Sequence, residues 1–254
     1  MKNILIPVVI TIIIASCTSS GYNIQNKKTD WRVMNLKDKV KSIKECTYDG
    51  TYNGDTETFE GRGEKGDCNQ AINYFFNNKG NLIEVKDVLH GESGQKHTYK
   101  YDDKGNKVQE EYYDEDGVLQ GKVNYKYDKP GNRIEKTFPE GTKISYRYDS
   151  NGNMIEESTY DNDGNLYNRI AYQFDDNGLK IEEVQYDRNG KIVIKYAYKY
   201  DSNGNETEIN AYSEGKQPSK SAIQYVYDKK KNFIKKIFVS AFSIEIQERV
   251  IEYY

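Results

Sequence analysis

One glycine position recurs along most of this chain of 254 residues and fixes a repeating unit. Six glycines occupy it, with successive steps of 25, 26, 21, 26 and 26 residues: Gly80, Gly105, Gly131, Gly152, Gly178 and Gly204. In the copy at residues 146–160, YRYDSNGNMIEESTY, a strand pattern leads into an Asn-Gly turn and a second strand pattern. Because periods of this length define the architecture, we expect one supersecondary unit to be repeated along the chain.

Alternation of apolar and polar residues identifies the units as β-hairpins. From Ile72 onward, apolar or tyrosine positions recur every second residue, and the positions between them are mostly Lys, Arg, Asn, Gln, Ser or Ala. The chain has 24 Tyr and only 4 Pro, a composition that suits a sheet with one apolar and one solvated face. The pattern therefore predicts an all-β antiparallel meander of tandem hairpins.

Turn chemistry gives a predicted register for the first hairpin of each unit. A two-residue type I′ turn at Asn151-Gly152 pairs Tyr148 with Ile155. The same arithmetic pairs an aromatic residue with a β-branched one in five further units and Tyr200 with Thr207. The five further pairs are Phe76–Ile83, Tyr101–Val108, Tyr127–Ile134, Phe174–Ile181 and Tyr227–Ile234. We expect these pairs to form the core face.

The second turn of each unit predicts a three-residue loop with a left-handed glycine, the G1-bulge hairpin. This loop pairs Tyr186 with Ile192 and Val184 with Ile194 on the core face. It also pairs Tyr160 with Leu166 and Tyr113 with Leu119. The short strands must then change face, which predicts bulges near Glu156-Glu157 and Glu182-Glu183.

A sheet of so many strands cannot stay flat with an apolar face in water. We expect it to roll up or spiral; a closed barrel, a spiral shell and an open single layer all remain compatible with the sequence. Residues 31–71 are expected to be a capping segment with the first strands, and residues 72–254 the repeat domain. Trp31 is expected to cover the open end of the sheet, with a ligand-binding role as the alternative, and the segment from Phe238 to Tyr254 to supply the closing strands.

The N-terminus carries the pattern of an export signal. Lys2 precedes an apolar run from Ile4 to Ile14, too short for a resident membrane helix and typical of a secretory signal. Residues 14–17, IASC, resemble the lipobox of bacterial lipoproteins, in which the cysteine is lipidated. The resemblance implies a signal peptide at residues 1–16, a lipidated Cys17 and a tether to residue 30, with anchoring in the cell envelope, at the periplasmic or outer face of the outer membrane.

Cys46 and Cys68 are the other two cysteines of the chain. In an oxidising compartment they predict a disulfide that closes a loop of about 20 residues, worth about 3 kcal/mol; two buried free thiols are the alternative. A zinc site is not predicted, because two cysteines without a nearby histidine do not supply four ligands.

Several segments resemble the YD repeat of RHS-type proteins, among them those at residues 101–106, 127–132, 148–153 and 200–205. The resemblance covers residues 72–234 and implies a spiralling β shell. This array is too short to enclose a folded cargo. The chain is more similar to short YD-repeat lipoproteins of Bacteroidetes-type bacteria, for which the resemblance implies no activity.

Catalysis and metal binding are not predicted. The turn Asp and Asn residues are spaced by whole strands, so we expect them to hydrogen-bond the turn backbone rather than bind calcium. His90 and His97 are the only histidines, and the Glu-Glu pairs recur with the repeat instead of marking one acid-base pair. No cofactor is expected. The net charge of -3 comes from intermixed acidic and basic residues, which argues against nucleic-acid binding.

Binding is the function class with most support from the residues. Tyrosine rings stack on sugar faces and hold extended peptides, and Tyr112, Tyr167 and Tyr212 fall off the core register and are expected to be exposed. We therefore expect a non-catalytic envelope lipoprotein that binds a glycan or an envelope protein. The alternative is a structural repeat element without a specific ligand. Contiguous exposed tyrosines would favour the first hypothesis, and scattered ones the second.

Overall fold

The computed structural model describes residues 29–55, 57–61, 70–89 and 92–254. Within these residues the chain forms one short helix, α1 (Asp30–Val33), and seventeen strands. The strands are β1 (Val40–Asn53), β2 (Thr58–Gly61), β3 (Gln70–Phe76), β4 (Leu82–Leu89), β5 (Glu92–Tyr101), β6 (Lys107–Tyr113), β7 (Leu119–Tyr127), β8 (Arg133–Thr137), β9 (Lys143–Tyr148), β10 (Met154–Tyr160), β11 (Leu166–Phe174), β12 (Lys180–Asp187), β13 (Ile192–Tyr200), β14 (Glu206–Tyr212), β15 (Ser219–Tyr227), β16 (Phe233–Val239) and β17 (Ile244–Tyr253).

The strands close into a barrel. Strands β3 to β17 are consecutive antiparallel neighbours, and β1 pairs with both β17 and β3. Sixteen of the described strands thus form the ring, while β2 pairs only with the end of β1 at residues 50–53. The predicted all-β rolled meander is confirmed, in its closed form. Closure removes the free edges that a meander of this length would otherwise expose.

The seam between β1 and β17 contains a buried ion pair. Glu45 lies opposite Arg249 in the register, and the Arg249 Nε is 2.6 Å from the Glu45 Oε2. Both side chains are at most 3% exposed. The expectation that the C-terminal segment supplies the closing strand is confirmed, and a charged pair buried on both sides specifies where it closes.

The first turn of each unit differs from the prediction. Asp149 N–H donates to the Asn153 carbonyl at 3.0 Å, and Gly152 N–H donates to the Asp149 carbonyl at 3.1 Å. Gly152 has a φ of 79°, whereas Asn151 is not in the left-handed region, so the loop is a three-residue G1-bulge turn and not a type I′ turn. The Asp149 carboxylate stabilises this longer loop by accepting the backbone N–H groups of residues 151 and 153.

This turn changes the register that follows it. Tyr148 pairs with Met154, and a bulge at Ile155 precedes the pair of Arg147 and Glu156. The predicted aromatic–β-branched pairs are therefore wrong by one residue. The residues observed opposite the aromatic one are Leu82, Lys107, Arg133, Met154, Lys180, Glu206 and Phe233. The expected core partners point outward, and four of them are 36–41% exposed: Ile83, Val108, Ile134 and Ile181.

The second turns have the predicted form. Tyr186 pairs with Ile192, as Tyr160 does with Leu166 and Tyr113 with Leu119. Two details of the prediction are wrong. Val184 pairs with Lys195 instead of Ile194, and Ile192 is 51% exposed, so it lies outside the core. The expected face changes do occur, but at Ile155 and Ile181, one residue earlier than predicted, because the first turn already supplies one extra residue.

Residues 29–39 cross one end of the barrel, beside the first turns. The Trp31 ring packs on Gly80, where a Cβ would lie 2.5 Å from it, and its Nε1 donates to the Val40 carbonyl at 2.8 Å. Farther along, the backbone of Lys37 exchanges two hydrogen bonds with the Asn232 side chain. The capping position expected for Trp31 is what the structure shows. The largest buried apolar cluster lies under this cap and includes Val40, Ile43, Tyr74, Phe76 and Val85.

Candidate functional site

The inner face of the barrel is lined by the tyrosines of the repeated Tyr-x-Tyr motif. Tyr99 and Tyr146 are 8% and 6% exposed, whereas the residues between motif positions, such as Lys100 and Arg147, face solvent. The two tyrosines of each motif have different partners, and this difference separates structural tyrosines from those available for other contacts.

The second tyrosine of the motif joins one unit to the unit before it. The Tyr148 hydroxyl donates to the Arg133 carbonyl at 2.9 Å, directly before the bulge at Ile134. The same bond runs to the residue before the bulge in three other units: Tyr101 to Leu82, Tyr127 to Lys107 and Tyr200 to Lys180. A bulge disrupts the strand ladder locally, so these hydroxyls satisfy carbonyls beside it. We assign these tyrosines to the framework.

The first tyrosine belongs to a set of three inward side chains that we call a triad. A triad consists of the residue after the first turn, the residue three positions later, and the first tyrosine of the next unit. In three triads two of the members are charged: Lys107–Glu110–Tyr125, Arg133–Lys136–Tyr146 and Lys180–Glu183–Tyr198. The register places all three on the inner face at equivalent heights.

The Lys180 triad is internally satisfied. Lys180 Nζ lies 2.9 Å from Glu183 Oε2, and the Tyr198 hydroxyl donates to the same oxygen at 3.0 Å. Gln185 donates to the other carboxylate oxygen at 2.9 Å. These bonds to the charged form hold the pKa of Glu183 below its usual range, although burial opposes them.

The Lys107 triad is satisfied with help from the cap. Glu110 contacts His97 Nδ1 at 2.8 Å and accepts the Tyr125 hydroxyl at 2.5 Å, while Lys107 Nζ lies 3.7 Å from Asp30. Burial acts against ionisation of Glu110, but these contacts together with the Lys136 charge lower its pKa to about 2. His97 therefore packs in this network, as expected for a residue on the tyrosine face.

The Arg133 triad is different, because Lys136 stands where the other two have glutamate. The Arg133 guanidinium lies 4.4 Å from the Tyr146 ring centre and 5.7 Å from that of Tyr125. Its buried Nε has no hydrogen-bond partner, and no carboxylate of the described residues lies within 4.0 Å of either cation. The Tyr146 hydroxyl likewise makes no hydrogen bond to the described chain.

Glu157 and Tyr172 follow the Arg133 triad on the inner face. Glu157 lies opposite Tyr146 in the register, and neither its carboxylate nor the Tyr172 hydroxyl is hydrogen-bonded within the described residues. Burial raises the pKa of Glu157, with Arg133 and Lys136 acting in the opposite sense from a distance. We call Arg133, Lys136, Tyr146, Glu157 and Tyr172 the open cluster. All except Tyr146 keep partial solvent exposure.

The sequence-predicted tyrosines do not form one surface. Tyr167 and Tyr212 are exposed, at 59% and 41%, as expected, but Tyr112 is half-buried and packs against His97 and Gly121. The reason is that Tyr112 pairs with inward-facing His97. Tyr167 lies on β11 and Tyr212 on β14, about 14 Å apart at the spacing of neighbouring strands. Under the expectation stated above, this scattering does not favour a contiguous tyrosine surface.

Tyr167 does line a shallow groove near the second turn that joins β12 and β13. The groove has a volume of about 310 Å³ and is bounded by β11, the end of β12 with its following turn, and Val193. Asn168 lines it too, and its Oδ1 is buried without a partner. Tyr186 on the same groove is covered by the Arg169 guanidinium at 4.0 Å.

Of the three cysteines, the structure describes only Cys46. Cys46 is disulfide-bonded. Its expected partner Cys68, as well as Cys17, the signal peptide and most of the tether, lies outside the described residues, so these assignments stay predictions. His90 also lies outside them.

In each repeated Glu-Glu pair, one side chain faces outward and the other faces inward. Glu156 faces outward between Arg147 and Arg169, at 3.5 and 3.0 Å, whereas Glu157 faces inward. Similar outward glutamates lie between two basic residues of the flanking strands at three other places: Glu111, Glu135 and Glu208. The prediction that these glutamates belong to the repeat architecture therefore describes their outward members well. The inward ones are the residues that sequence reasoning missed.

A signal for the open cluster was present in the repeat itself. Aligning the units places Lys136 in the column of Glu110 and Glu183, so the charge is reversed there. Lys236 occupies the same column in a later unit, but it follows Phe233, whereas Lys136 follows a second cation, Arg133. The predicted type I′ turn shifts the register by one residue at Arg133 and places that side chain on the outer face. The predicted bulges fall at this column, and for that reason the sequence did not identify its residues as inward. Within the described part of the chain, no group of three or more His, Cys, Asp and Glu side chains is arranged to hold a metal ion. No described helix is both long and apolar enough to cross a membrane.

Comparison with known proteins places the repeat and the fold. The family described as RHS Repeat matches residues 127–166, and no curated protein is significantly similar to the chain in sequence. A porin-like protein from Bacteroides uniformis is 11% identical over 84% of this chain and 98% of its own, with a TM-score of 0.56. At that identity the likeness shows the fold alone.

A much weaker likeness joins the chain to a Tc toxin. The Photorhabdus luminescens Tc holotoxin pore is 14% identical over 72% of this chain, with a TM-score of 0.34, and the match spans 10% of the toxin chain. The hydrogen-bonded Tyr-Asp turns described above coincide with the segment that matches the family. The chain therefore contains a YD repeat of the RHS type, matched at residues 127–166, within a closed barrel.

Proposed function

We propose that the protein is a non-catalytic binding module of the cell envelope, held there by a lipid on Cys17, and that its ligand is a glycan. The observation that carries this proposal is the inner face, where tyrosine rings lie beside polar groups that the chain itself does not satisfy. Aromatic rings with free hydrogen-bonding groups between them are what a sugar requires, since its faces are apolar and its edges polar.

The support comes from the uneven satisfaction of the triads. Buried polar groups are normally paired, and groups left without partners in one place call for an explanation. The Lys107 and Lys180 triads show that the repeat can satisfy such groups when its sequence allows. Four adjacent strands, β8 to β11, do not, and a ligand would supply the missing partners.

A glycan array probed with the full-length protein in detergent tests the proposal. We expect saturable binding that is lost on Tyr146→Ala and kept on Tyr212→Ala, a change to an exposed tyrosine outside the inner face. Loss on Tyr212→Ala alone would move the site to the outer face. The absence of binding to every glycan would leave the protein-partner and structural hypotheses.

The groove at Tyr167 favours a second candidate, a protein partner. The exposed Tyr167 ring and exposed Val193 line it, together with Asn168, whose buried amide oxygen has no partner. Tyr167→Ala tests this candidate, since capture of an envelope protein that depends on Tyr167 and not on Tyr146 would support it. The structural hypothesis is supported if neither tyrosine affects any binding.

A further inference from the structure

We propose that the open cluster binds the oxyanion of a small acidic sugar, with Arg133 and Lys136 holding the anionic group and Glu157 and the tyrosine hydroxyls holding sugar hydroxyls. The inference rests on the proposed function and specifies its site and the charge of its ligand.

The first step is the charge of the cluster. Arg133 and Lys136 lie three residues apart on the inward face of β8, and among the residues that the structure describes no carboxylate lies within 4.0 Å of either cation. Both interact with Glu157 only at longer range, and burial lowers the pKa of Lys136, with Glu110 opposing that shift. A bound negative group would compensate the charge of two neighbouring half-buried cations that contact no anion.

The second step is the geometry of the guanidinium. Tyr146 and Tyr125 lie against Arg133 at 4.4 and 5.7 Å, and these ring contacts restrict its orientation. A guanidinium whose face is occupied by a ring presents its N–H edge, which matches a carboxylate or phosphate in a bidentate way. The unpartnered Nε belongs to that edge.

The third step is the other side of the cluster. Glu157 accepts hydrogen bonds and the Tyr146 and Tyr172 hydroxyls can donate and accept, and none of the three has a partner in the described chain. A simple inorganic anion would leave these groups unsatisfied. A polyhydroxylated molecule with one anionic group would satisfy both sides, which is the reason for choosing an acidic sugar.

The inner face offers one rival site, at Glu206. Its Oε1 is buried without a partner, and the Tyr225 hydroxyl of the same triad makes no hydrogen bond within the described residues. The next unit has Phe233 in the position of Arg133, so this region lacks the pair of neighbouring cations that an anionic group requires.

Titration calorimetry on the full-length protein with three sugars tests the proposal. The probes are glucuronate, glucose 6-phosphate and neutral glucose, together with inorganic phosphate alone. We expect an acidic sugar to bind at least tenfold more tightly than glucose and than inorganic phosphate; a preference between the first two distinguishes a carboxylate from a phosphate ligand. Equal affinity for glucose, or for inorganic phosphate, would overturn the assignment.

The decisive variant is Lys136→Glu, which gives this triad the same order of charges as the Lys180 triad. We expect it to lower the affinity for the acidic sugar by about 10- to 100-fold, since charge-assisted hydrogen bonds are removed and a negative charge is added. Lys129→Glu makes the same charge change on an exposed turn and is the control that should bind normally. Unchanged affinity in Lys136→Glu would refute the proposal.

Misfolding can be distinguished from loss of the site. Lys136→Glu is expected to raise the melting temperature through a new ion pair with Arg133, so an affinity loss with a raised melting temperature supports the proposal. Tyr146→Phe removes only the free hydroxyl and should weaken binding several-fold without destabilising the barrel. If neutral glycans bind on the array while Lys136 variants have no effect, the proposed function stands and this inference fails.

Discussion

The Lys180 and Arg133 triads occupy equivalent positions in neighbouring parts of one barrel, yet one is complete and the other is not. In the first, Glu183 contacts Lys180, Tyr198 and Gln185 within 3.0 Å. In the second, lysine replaces that glutamate, and the partners of Arg133 and Tyr146 disappear. The comparison shows that one reversed charge leaves groups unsatisfied that are paired at the equivalent positions of another unit.

The largest expected effect comes from breaking the complete triad. Glu183→Gln leaves Lys180 without its carboxylate in a position where both side chains are at most 15% exposed. We expect a loss of about 2 kcal/mol in the free energy of unfolding, since an uncompensated buried charge is costly. Urea unfolding at pH 7 measures it. The matched change in the open cluster, Glu157→Gln, should not destabilise the fold; equal losses at both positions would contradict the comparison.

Completing the open triad should have a smaller, opposite effect. Lys136→Glu places a carboxylate three residues from Arg133, the spacing that brings Lys180 and Glu183 into contact. We expect a gain of about 1 kcal/mol, which corresponds to about 2–4 °C in the melting temperature for a chain of this size. Thermal unfolding by circular dichroism measures the shift. A lower melting temperature than in Lys129→Glu would show that the triads are not equivalent.

The contributions of two inward glutamates, Glu157 and Glu110, to the free energy of unfolding should depend on pH in opposite directions. Glu157 has a folded-state pKa raised above 4.5, so its contribution disfavours the fold increasingly as pH rises from 4.5 through that raised pKa. Glu157→Gln should therefore stabilise the protein at pH 7 and lose this advantage below pH 4.5.

Glu110 supplies the contrast, since its folded-state pKa is lowered to about 2. Its stabilisation is present above 4.5 and is lost as pH falls toward 2, so Glu110→Gln should destabilise the protein at pH 7 and have little effect near pH 2. Denaturant unfolding across this range measures both. The same sign of pH dependence in the two variants would be inconsistent with the structure.

The smallest expected effect separates the two tyrosines of one motif. Tyr148→Phe removes a hydroxyl bonded to the Arg133 carbonyl at 2.9 Å and should cost about 1 kcal/mol. Tyr146→Phe removes a hydroxyl without a partner and should cost close to nothing. Paired melting curves test this difference. A larger loss in Tyr146→Phe would reverse the roles assigned to the two positions.

Much of the barrel follows from the sequence, and one local error accounts for most of what does not. The repeat of glycine and the alternation of tyrosine identify the hairpins, their order and the closing strand. The choice between the two turn types depends on whether Asn151 adopts a positive φ. The Asn-Gly sequence favours a positive φ, but the hydrogen bond from the Asn151 N–H to the Asp149 carboxylate stabilises the other turn. Because one residue in register exchanges the faces of a strand, Ile134 was expected inside and Arg133 was overlooked.

The interior charges were also hard to predict for a general reason. Apolar residues are expected inside and charged ones outside, and this rule fails where inward charges satisfy each other inside a closed sheet. Glu183 and Lys180 form such a pair within β12, and the bulge at Ile181 places both side chains on the inner face. Tyr112 is predicted to be exposed but is half-buried, because it lies opposite His97, which faces inward.

The bond from four of the second tyrosines, Tyr101, Tyr127, Tyr148 and Tyr200, gives this part of the array a direction. A hairpin cannot satisfy the carbonyl before its own bulge and depends on the hairpin that follows it, as Arg133 depends on Tyr148. At one joint the follower is Phe174, which has no hydroxyl to give to Met154. Amide protons around this joint should exchange with solvent sooner than those around its neighbours, so the wall of the barrel would loosen first between β10 and β11, next to the open cluster.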